Sequence, residues 1–502
     1  MEYYITLDVG TSSSKIAIID TECNVIFTST QSYPTYYPSL GFAEQNPNEW
    51  WEAIKKGINI CLSESGIERK KILCVGVAGQ SWSNIPVNNQ GDVLGNNPIW
   101  TDTRASDICL ETEKKIGKER IFNNSGNPFM PGYQLPKILW LKKHNRRLYD
   151  ETWQFMSSNG FIVYKFTEQS KMDYSQIYGL HNINMKTAEY DKDLSEEFDI
   201  DLSKLPELCE TTEIVGKVTN NASQETGIPE GTPVIAGGLD AACSTLGVGV
   251  YKSGGVQEQG GQAGGMSIAL DNMIAHPSLI LSRHAVPGMF LLQGGTVGGG
   301  ASFEWISKLL AADYDLRFDK KSDYFKYLDD SAADVNPGSD GLIFLPYLAG
   351  ERSPIWDPNA KGVYFGLDFN KSKGHLIRAL LEGVAFALRH NMEIAREVGI
   401  EISKYRSTGG SANSSVWTQI KSDVTSSEVE VPDSDEATVK GIAYLCGLAV
   451  GVYSNLSDIV DKTIIIKKEY SPDSNNYDIY NKNFEIYKKL YLSLKELMKE
   501  SN

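Results

Sequence analysis

The amino-acid sequence predicts an α/β protein with two domains. Two apolar segments, residues 3–7 and 16–19, flank a short polar turn, and this pattern predicts a β-hairpin. A continuous apolar segment at residues 72–77 is typical of a strand that is buried on both faces of a sheet. A chain of 502 residues is too long for one hydrophobic core, so two domains of roughly 200–250 residues are expected.

The composition excludes several classes of protein. The formal net charge of −16 argues against a surface that binds nucleic acid or an anionic membrane. We identify no secretory signal, and no apolar segment approaches the ~20 residues of a membrane-spanning helix. The seven cysteines are scattered and form no CxxC pair, which favours reduced thiols in a cytoplasmic protein.

The turn of the first hairpin has the composition of a phosphate site. Residues 7–15 have the sequence LDVGTSSSK, in which backbone N–H groups and the hydroxyls of Thr11 and Ser12 can surround phosphate oxygens while Lys15 offsets their charge. Asp8, just before the turn, can hold a hydrated Mg²⁺. No GxxxxGK[ST] motif opens a helix here, so the turn is not a Walker loop. An ordinary polar hairpin turn is the alternative.

Further elements follow from periodicity and from turn residues. A third antiparallel strand is predicted at residues 25–30, and a helix begins at Asn46-Pro47 and ends before Gly66. The remaining clear helices are predicted at residues 132–144, 241–246, 375–399, 416–424 and 436–450. Residues 467–502 are predicted to form a polar linker and then an exposed amphipathic helix.

Polar side chains follow the buried strand at residues 72–77. In open α/β sheets, ligands bind at the carboxyl ends of strands, and this strand leads to Gln80, Ser81 and Trp82. A second short apolar segment leads to Asp102, whose carboxylate can accept hydrogen bonds from sugar hydroxyls, and Trp82 or Trp100 can stack on a sugar ring. The alternative is that both tryptophans are core residues and that Asp102 pairs with Arg104.

A general base is predicted at the end of another buried strand, residues 232–240. Gly237 and Gly238 thin the backbone there and leave room for a substrate beside Asp240. A carboxylate within hydrogen-bond reach of an alcohol can take its proton as a phosphoryl group arrives. Asp240 as the N-cap of the helix at residues 241–246 is the alternative, and the two roles do not exclude one another.

The second half repeats the pattern of the first. A glycine-rich segment at residues 247–254 predicts a domain boundary, and residues 255–270 form a second hairpin with Gly261 in its turn. Glycine-rich turns that allow close approach of a nucleotide follow at residues 294–300 and 407–415. Glu351 and Arg352 lie in a loop after a strand, where structural ion pairing is expected.

These residues resemble the motifs of the FGGY carbohydrate kinases. Residues 362–382, GVYFGLDFNKSKGHLIRALLE, agree with the C-terminal signature of that family, and residues 132–144 resemble its N-terminal signature but depart from it at Gln134. DVGTSSSK resembles the first phosphate motif, GGLD matches the position of the catalytic aspartate, and STGGSANSS resembles the adenosine-side turn. The resemblance runs in collinear order from about Tyr3 to about Tyr453.

The resemblance implies a fold and a set of roles. The fold is that of actin, Hsp70 and the sugar kinases: two RNase H-like domains around a central cleft that binds ATP·Mg²⁺ and a polyol or ketose. The expected domains are residues 1–246 and 247–453, with 454–502 as a helical extension packed on the C-terminal domain. The implied roles are Asp240 as general base, Asp8 for magnesium, Thr11, Ser12, Lys15 and Gly261 for the phosphates, and Gly300, Gly410 and Ser414 for adenosine.

The resemblance also narrows the substrate. GQSW and WTDTRA occupy the positions of the xylulokinase motifs GQMHG and W-N-D-x-R, so Asp102 is kept but Ser81 and Trp82 replace Met-His. Glycerol kinases carry Arg-Glu there, and gluconate would attract a cation that the segment lacks. We predict a ketopentose, D-xylulose, that Gln80, Ser81, Trp82, Asp102 and Asp240 bind.

Two alternatives remain open at this point. The chain is either a kinase for another substrate (gluconate, another ketose or a polyol) or a sugar-binding regulatory protein with degraded kinase activity. The last alternative is motivated by Gly261-Gln262, which stands where a Gly-Thr pair is usual. ATP and a sugar are the expected partners, and a homodimer is left open.

Overall fold

The computed structural model describes residues 1–310, 318, 320–433 and 436–501 of the chain. Its N-terminal half contains strands β1 (Tyr3–Val9), β2 (Ser13–Asp20), β3 (Val25–Ser32), β4 (Glu44–Gln45), β5 (Ile72–Gly79), β6 (Ile85–Val87), β7 (Asn97–Pro98), β8 (Gln154–Met156), β9 (Lys171–Asp173), β10 (Ile183–Asn184), β11 (Glu189–Tyr190), β12 (Glu207–Cys209), β13 (Ile214–Lys217), β14 (Pro233–Ile235) and β15 (Gly238–Leu239). Its helices are α1 (Pro47–Glu64), α2 (Ser106–Ile116), α3 (Lys118–Ser125), α4 (Gln134–His144), α5 (Arg146–Glu151), α6 (Ser158–Thr167), α7 (Lys192–Phe198), α8 (Asn220–Thr226) and α9 (Asp240–Gly247).

The C-terminal half contains strands β16 (Val256–Gly260), β17 (Gly264–Leu270), β18 (Ile280–Arg283), β19 (Phe290–Thr296), β20 (Ile343–Leu345), β21 (Val363–Phe365), β22 (Lys404–Thr408), β23 (Glu428–Pro432) and β24 (Ile466–Tyr470). Its described helices are α10 (Gly300–Leu309), α11 (Lys321–Ala333), α12 (Lys373–Glu397), α13 (Ser415–Thr425), α14 (Ala437–Ala449), α15 (Ser457–Thr463) and α16 (Tyr477–Glu500). Short 3-10 helices lie at Arg69–Lys71, Tyr174–Gly179, Leu202–Lys204, Ser339–Gly341, Gly410–Asn413 and Ser474–Asn476.

One mixed sheet organises the N-terminal half. Its strand order is β13-β14-β5-β1-β2-β3, and β15 pairs with β5 beside β14. The predicted hairpin is β1–β2, and the predicted buried strand is β5, which runs parallel to β1. The predicted strand at residues 232–240 is interrupted between β14 and β15 by Gly237, which has φ +68°. A Cβ there would lie 1.8 Å from the carbonyl oxygen of Val77, so only glycine lets the chain pass this close to β5.

A second mixed sheet organises the C-terminal half, in the order β18-β19-β17-β16-β22-β23-β24. The hairpin β16–β17 repeats the position of β1–β2, as the sequence predicted. The prediction of a polar linker at the start of residues 467–502 is wrong. Ile466–Tyr470 is the edge strand β24, which pairs antiparallel with β23. The helix α16 follows, and it is less exposed than predicted: Tyr480, Phe484 and Tyr487 are buried against the C-terminal half.

Two helices cross between the sheets. Gly441 of α14 lies against α9, where a Cβ would be 1.9 Å from the carbonyl oxygen of Cys243, and Gly247 of α9 lies equally close to Ala437. Beyond this crossing, α14 packs on β1 and β5 of the other half. The beginning of α14 therefore lies beside the first hairpin. In the described part of the chain, no helix has the length and apolarity to cross a membrane.

Candidate active site

The two predicted catalytic carboxylates lie at the same edge of the first sheet. Asp8 on β1 and Gly238 on β15 both pair with Ala78 of β5, one from each side. Neighbouring strands are about 4.8 Å apart, so the backbones at these two positions are about 10 Å apart. Asp240 follows two residues later as the first residue of α9, where its Oδ1 accepts the N–H of Ala241 at 2.7 Å. The alternative prediction, Asp240 as the N-cap of this helix, is wrong, because the N-cap is Leu239.

Burial raises the pKa of both carboxylates, and a neighbouring carboxylate adds to the rise in each, Asp8 for Asp240 and Glu436 for Asp8. For Asp240, burial is the larger cause and the charge of Asp8 adds to it, which together raise the pKa to about 7, against the hydrogen bond from Ala241. Burial raises the pKa of Asp8 to about 6, although Lys15 lies directly opposite across the hairpin and lowers it. A carboxyl group with a pKa near 7 is suited to accept a proton from an alcohol at neutral pH.

Asp8 and Lys15 face the other half of the molecule across a cavity of about 300 Å³. The far wall consists of the second hairpin turn at Gly260 and Gly261, the adenosine-side turn at Gly409, and the beginning of α14. Two contacts bridge the cavity. Lys15 forms a 2.9 Å ion pair with Glu436, and the hydroxyl of Thr438 hydrogen-bonds to the carboxylate of Asp8.

The tip of the first hairpin is tied to the sugar-side strands. The indole N–H of Trp100 donates to Thr11 Oγ1 at 3.0 Å, and the hydroxyl of Tyr33 donates to the carbonyl of Gly10. The side chain of Ser12 is exposed at the turn. Gln45 links the two regions, because its amide donates to the carbonyl of Thr11 and its Oε1 accepts the amide of Gln80 at 2.9 Å.

The residues predicted for the adenosine side, Gly300, Gly410 and Ser414, line one cavity of about 830 Å³ together with Gly261, which is predicted for the phosphates. Gly260 and Gly261 also border the smaller cavity beside Asp8, so the two spaces adjoin. The carbonyl of Gly261 accepts the N–H of Gly300 at 2.8 Å, and this bond fixes the second hairpin turn on the beginning of α10. The side chain of Gln262 lines the larger cavity, while its carbonyl accepts the N–H of Ala301.

A buried ion pair between Lys421 and Glu258 connects the second hairpin turn to the adenosine-side turn. Lys421 on α13 donates to Glu258 Oε1 at 2.7 Å and to the hydroxyl of Ser411 at 2.6 Å. Glu258 precedes the second hairpin turn, and Ser411 belongs to the adenosine-side turn. The hydroxyl of Ser407 donates to the other oxygen of Glu258. The pair therefore fixes the distance between the two turns.

The predicted sugar-side segment is held among aromatic rings. Trp82 has a left-handed backbone, with φ +58°, and its ring lies 4.3 Å from that of Tyr133 and 5.4 Å from that of Tyr178, centroid to centroid. The hydroxyl of Tyr178 donates to Ser81 Oγ at 2.8 Å. The charge of Asp240 contributes to raising the pKa of Tyr178, so this aromatic cluster lies near the predicted base.

Polar atoms without partners are concentrated around the same segment. Within the described residues, the buried atoms that lack a hydrogen-bond partner include Gln80 Oε1, Trp82 Nε1, Asn84 Oδ1, Tyr133 OH, Gln134 Oε1 and Gln176 Oε1. Burying such groups unpaired is costly, and a ligand with several hydroxyls can satisfy donors and acceptors together. All six belong to neutral side chains and can exchange hydrogen bonds with the hydroxyls of a polyol.

Asp102 is fully buried and pairs with Arg104, as the alternative interpretation of the sequence predicts. Its carboxylate accepts the N–H of Ala43 at 2.7 Å and three hydrogen bonds of 2.7–3.0 Å from the guanidinium of Arg104. Arg104 is held in turn by Glu44 at 2.7 Å. The carboxylate thus fixes the loop, and its direct contact with a sugar stays a prediction.

Glu351 and Arg352 do not pair in the way that the sequence predicted. Glu351 Oε1 accepts the backbone N–H groups of Val297 and Arg352 at 2.6 and 2.7 Å. The guanidinium of Arg352 donates to the carbonyl of Thr296 and lies 5.8 Å above the ring of Trp100. Its Nε is buried and has no partner in the described part of the chain. Arg352 thus presents a cation to Trp100 across the cleft.

The site fits a magnesium ion that is held mainly by phosphates. Asp8 Oδ1 is buried and, among the described residues, accepts no hydrogen bond, as a free metal ligand would. No group of three or more His, Cys, Asp or Glu side chains within the described ranges could hold a metal by itself. Mg²⁺ commonly binds through one or two carboxylates together with substrate phosphates, so one free carboxylate oxygen is sufficient.

The sequence analysis did not assign to the site several residues that lie far along the chain from the predicted site residues. Glu436 and Thr438 were assigned only to a buried helix, although an acidic and a hydroxyl residue at its start were a usable signal. Tyr133 belongs to the predicted helix at residues 132–144, to which no chemistry was assigned, and Gln176 belongs to a segment with an irregular pattern. Their positions follow from tertiary packing, which local periodicity does not encode.

An acidic residue beside a cavity that two hairpin turns border is suited to bind a phosphate chain with its metal ion. The chain belongs to the FGGY family of carbohydrate kinases: the model of the N-terminal domain of that family matches residues 3–247, and the model of its C-terminal domain matches residues 272–450. The protein is therefore a carbohydrate kinase that acts on ATP and a sugar.

Proteins that are similar to this chain are named as kinases of two different substrates. The chain is 29% identical to a xylulose kinase of Staphylococcus epidermidis, over 99% of this chain and 98% of that protein. Two solved structures from Lactobacillus acidophilus superpose over 100% of both chains with a TM-score of 0.92 and 25% identity: a ligand-bound xylulose kinase and a gluconate kinase. These likenesses confirm the predicted fold of two RNase H-like domains around a cleft, and overall similarity does not separate the two substrates.

Proposed function

We propose that this kinase transfers the γ-phosphoryl group of ATP to a primary hydroxyl of a ketopentose, D-xylulose. The observation that carries this choice is the set of neutral, unpartnered polar atoms around Gln80 and Trp82. A ketopentose has hydroxyl and carbonyl groups along its whole length and no charge. Arg104, two residues after Asp102, is already engaged by Asp102 and Glu44. Relatives named xylulose kinase support the same choice.

Asp240 acts as the general base. Its carboxylate accepts the proton of the sugar hydroxyl while the oxygen of that hydroxyl forms a bond to the γ-phosphorus. The bond between the γ-phosphorus and the bridging oxygen breaks, and ADP leaves with the electron pair. Burial and the charge of Asp8 raise the pKa of Asp240 to about 7, so the base is uncharged at low pH and active above about pH 7.

The hairpin turns and the larger cavity hold the nucleotide. We assign Thr11, Ser12, Lys15 and Gly261 to the β- and γ-phosphates, and Gly300, Gly410 and Ser414 to adenosine. Asp8 would hold Mg²⁺ through its unpartnered oxygen. When bound, the ion neutralises charge on the phosphate oxygens. Lys15 must leave Glu436 to reach a phosphate, which couples nucleotide binding to the contacts across the cleft.

Gluconate is a second candidate because one observation favours it. Arg352 presents a guanidinium to Trp100 from the opposite wall of the cleft, and a guanidinium pairs well with a carboxylate. A protein named gluconate kinase has the same overall fold. The sequence segment at Gln80–Trp82 held no cation, but the other half of the molecule supplies one.

An ADP-release assay with separate sugars tests the proposal. D-Xylulose is expected to give the highest kcat/KM, followed by other ketoses, with D-gluconate and glycerol at least tenfold lower. The variant Arg352→Met distinguishes the candidates: it leaves D-xylulose turnover within threefold, whereas a gluconate kinase would lose at least tenfold with gluconate. ADP release that is independent of every sugar contradicts the proposal, and calorimetric sugar binding without product would indicate a regulatory protein.

Three wider expectations belong with this proposal. The domains are residues 1–246 and 247–453, with residues 454–502 as an extension; in support, the strands of the first sheet precede residue 246, those of the second follow residue 247, and β24 of the extension joins the second. The protein works in the cytoplasm, consistent with seven buried, unbridged cysteines. A homodimer is tested by light scattering of the purified protein.

A further inference from the structure

Lys137 is a fully buried lysine beneath the sugar-side segment. It lies on α4, has 1% of its surface exposed, and directs Nζ at three backbone carbonyl oxygens: Trp82 at 2.8 Å, Pro98 at 2.9 Å and Ile99 at 3.2 Å. A buried lysine without a bonded carboxylate is uncommon, since the ammonium loses its hydration. The three carbonyls replace that hydration.

The three carbonyls belong to the two segments that carry the predicted sugar contacts. Trp82 ends one segment, and Pro98 and Ile99 precede Trp100 and Asp102 in the other. Three carbonyl acceptors require three N–H donors, which only the charged ammonium provides. One side chain therefore joins both segments at a single point.

The neighbouring turn of α4 reinforces this arrangement. Gln134, three residues earlier and on the same helix face, donates its amide to the carbonyl of Ser83 at 2.5 Å. The left-handed backbone of Trp82, with φ +58°, is an unfavourable conformation for a tryptophan, so surrounding contacts must hold it. Lys137 supplies one of those contacts at the carbonyl of Trp82 itself.

We propose that Lys137 is a positioning residue of the sugar site, which holds the Trp82 and Trp100 segments in register so that the acceptor hydroxyl is placed before Asp240. This inference rests on the proposed function, because it concerns the sugar side of the same cleft. Lys137 touches neither substrate. Its effect is therefore expected on the sugar and on the rate, and not on the nucleotide.

The titration of Lys137 supports the geometry. Burial lowers the pKa of Lys137 to about 7, the charge of Asp102 raises it, and that of Arg104 lowers it further. Above pH 7 the neutral amine keeps two N–H donors for three carbonyls, so one bond is lost. The sugar site is thus expected to loosen as the pH rises.

The kinetic test compares Lys137→Met with Ile138→Ala, a cavity-forming change at the next residue of the same helix, which is also buried. Lys137→Met is expected to lower kcat/KM for the sugar at least tenfold and to leave KM for ATP within twofold. Ile138→Ala lowers stability in urea but changes the sugar kcat/KM less than threefold. Equal sugar effects in both variants, or equal effects on sugar and ATP, would overturn the inference.

A binding measurement decides the matter even when Lys137→Met does not fold. Calorimetry with the sugar that the wild type phosphorylates is performed on Asp240→Asn, which removes the titration of the base. On this background Lys137→Gln, whose amide keeps two N–H donors for the three carbonyls, is expected to weaken the Kd for this sugar at least fivefold, and an unchanged Kd contradicts the role of Lys137. A wild-type protein that phosphorylates no sugar would instead refute the proposed function.

Discussion

Replacing the proposed base, Asp240→Asn, is expected to abolish most activity and to stabilise the protein at the same time. Loss of a general base lowers kcat about 10²–10⁴-fold. The stability gain follows from burial, because the pKa of Asp240 rises from 3.8 to about 7 in the folded protein. At 1.36 kcal/mol per pKa unit, ionised Asp240 costs at most about 4 kcal/mol of stability at pH 8.

The sign of this effect sets its pH dependence. Because the pKa of Asp240 is higher in the folded than in the unfolded protein, its ionisation destabilises the fold fully above about pH 7 and not at all below pH 3.8. The difference in unfolding free energy between Asp240→Asn and wild type is therefore about 4 kcal/mol at pH 8 and less than about 2 kcal/mol at pH 5, measured by urea unfolding. The wild-type rate should fall with acid around pH 7.

Asp461→Asn is the control with the opposite sign. Tyr251 and Lys252 donate to this carboxylate on α15, which lowers its pKa, so removal of its charge is expected to lower stability slightly and to leave activity within twofold. The reasoning would be refuted by an Asp240→Asn variant that is less stable than wild type at pH 8. It would also be refuted by one that keeps more than a tenth of the wild-type kcat.

Three other substitutions test separate parts of the cleft. Asp8→Asn removes the carboxylate assigned to Mg²⁺, so the Mg²⁺ concentration for half-maximal ADP release should rise at least tenfold; an unchanged requirement contradicts the assignment. Glu436→Gln frees Lys15 from its 2.9 Å ion pair, so calorimetry should show severalfold tighter ATP binding, and weaker binding would mean that Glu436 itself helps to hold the nucleotide. Lys421→Met leaves the buried Glu258 without a counter-charge, which should cost about 3–5 kcal/mol in urea unfolding; a loss below 1 kcal/mol would rule out a structural role for the pair.

The elements with strong local patterns were predicted well. The hairpin β1–β2 and the strand β5 are apolar where they are buried, and Asn46 and Pro47 mark the beginning of α1 as N-cap and first residue. Since Asp8 and Asp240 each follow such a strand, their positions at one sheet edge could be inferred before any coordinates.

Other features depend on information that a local pattern lacks. The strand β24 consists mainly of exposed charged residues at a sheet edge, a composition that protects edges and that is easily taken for a linker. The pairing of Asp102 with Arg104 could not be chosen over a ligand contact from the sequence, because both interactions suit a carboxylate. Thr438 reaches Asp8 only because α14 crosses to the first sheet.

The most direct test is a crystal structure of Asp240→Asn with D-xylulose, Mg²⁺ and a non-hydrolysable ATP analogue. The account predicts a primary hydroxyl of the sugar within hydrogen-bond distance of the side chain at position 240, with the γ-phosphate between that hydroxyl and the turn after Asp8. A sugar bound outside the cleft, or a triphosphate that ends away from Asp8, would contradict it.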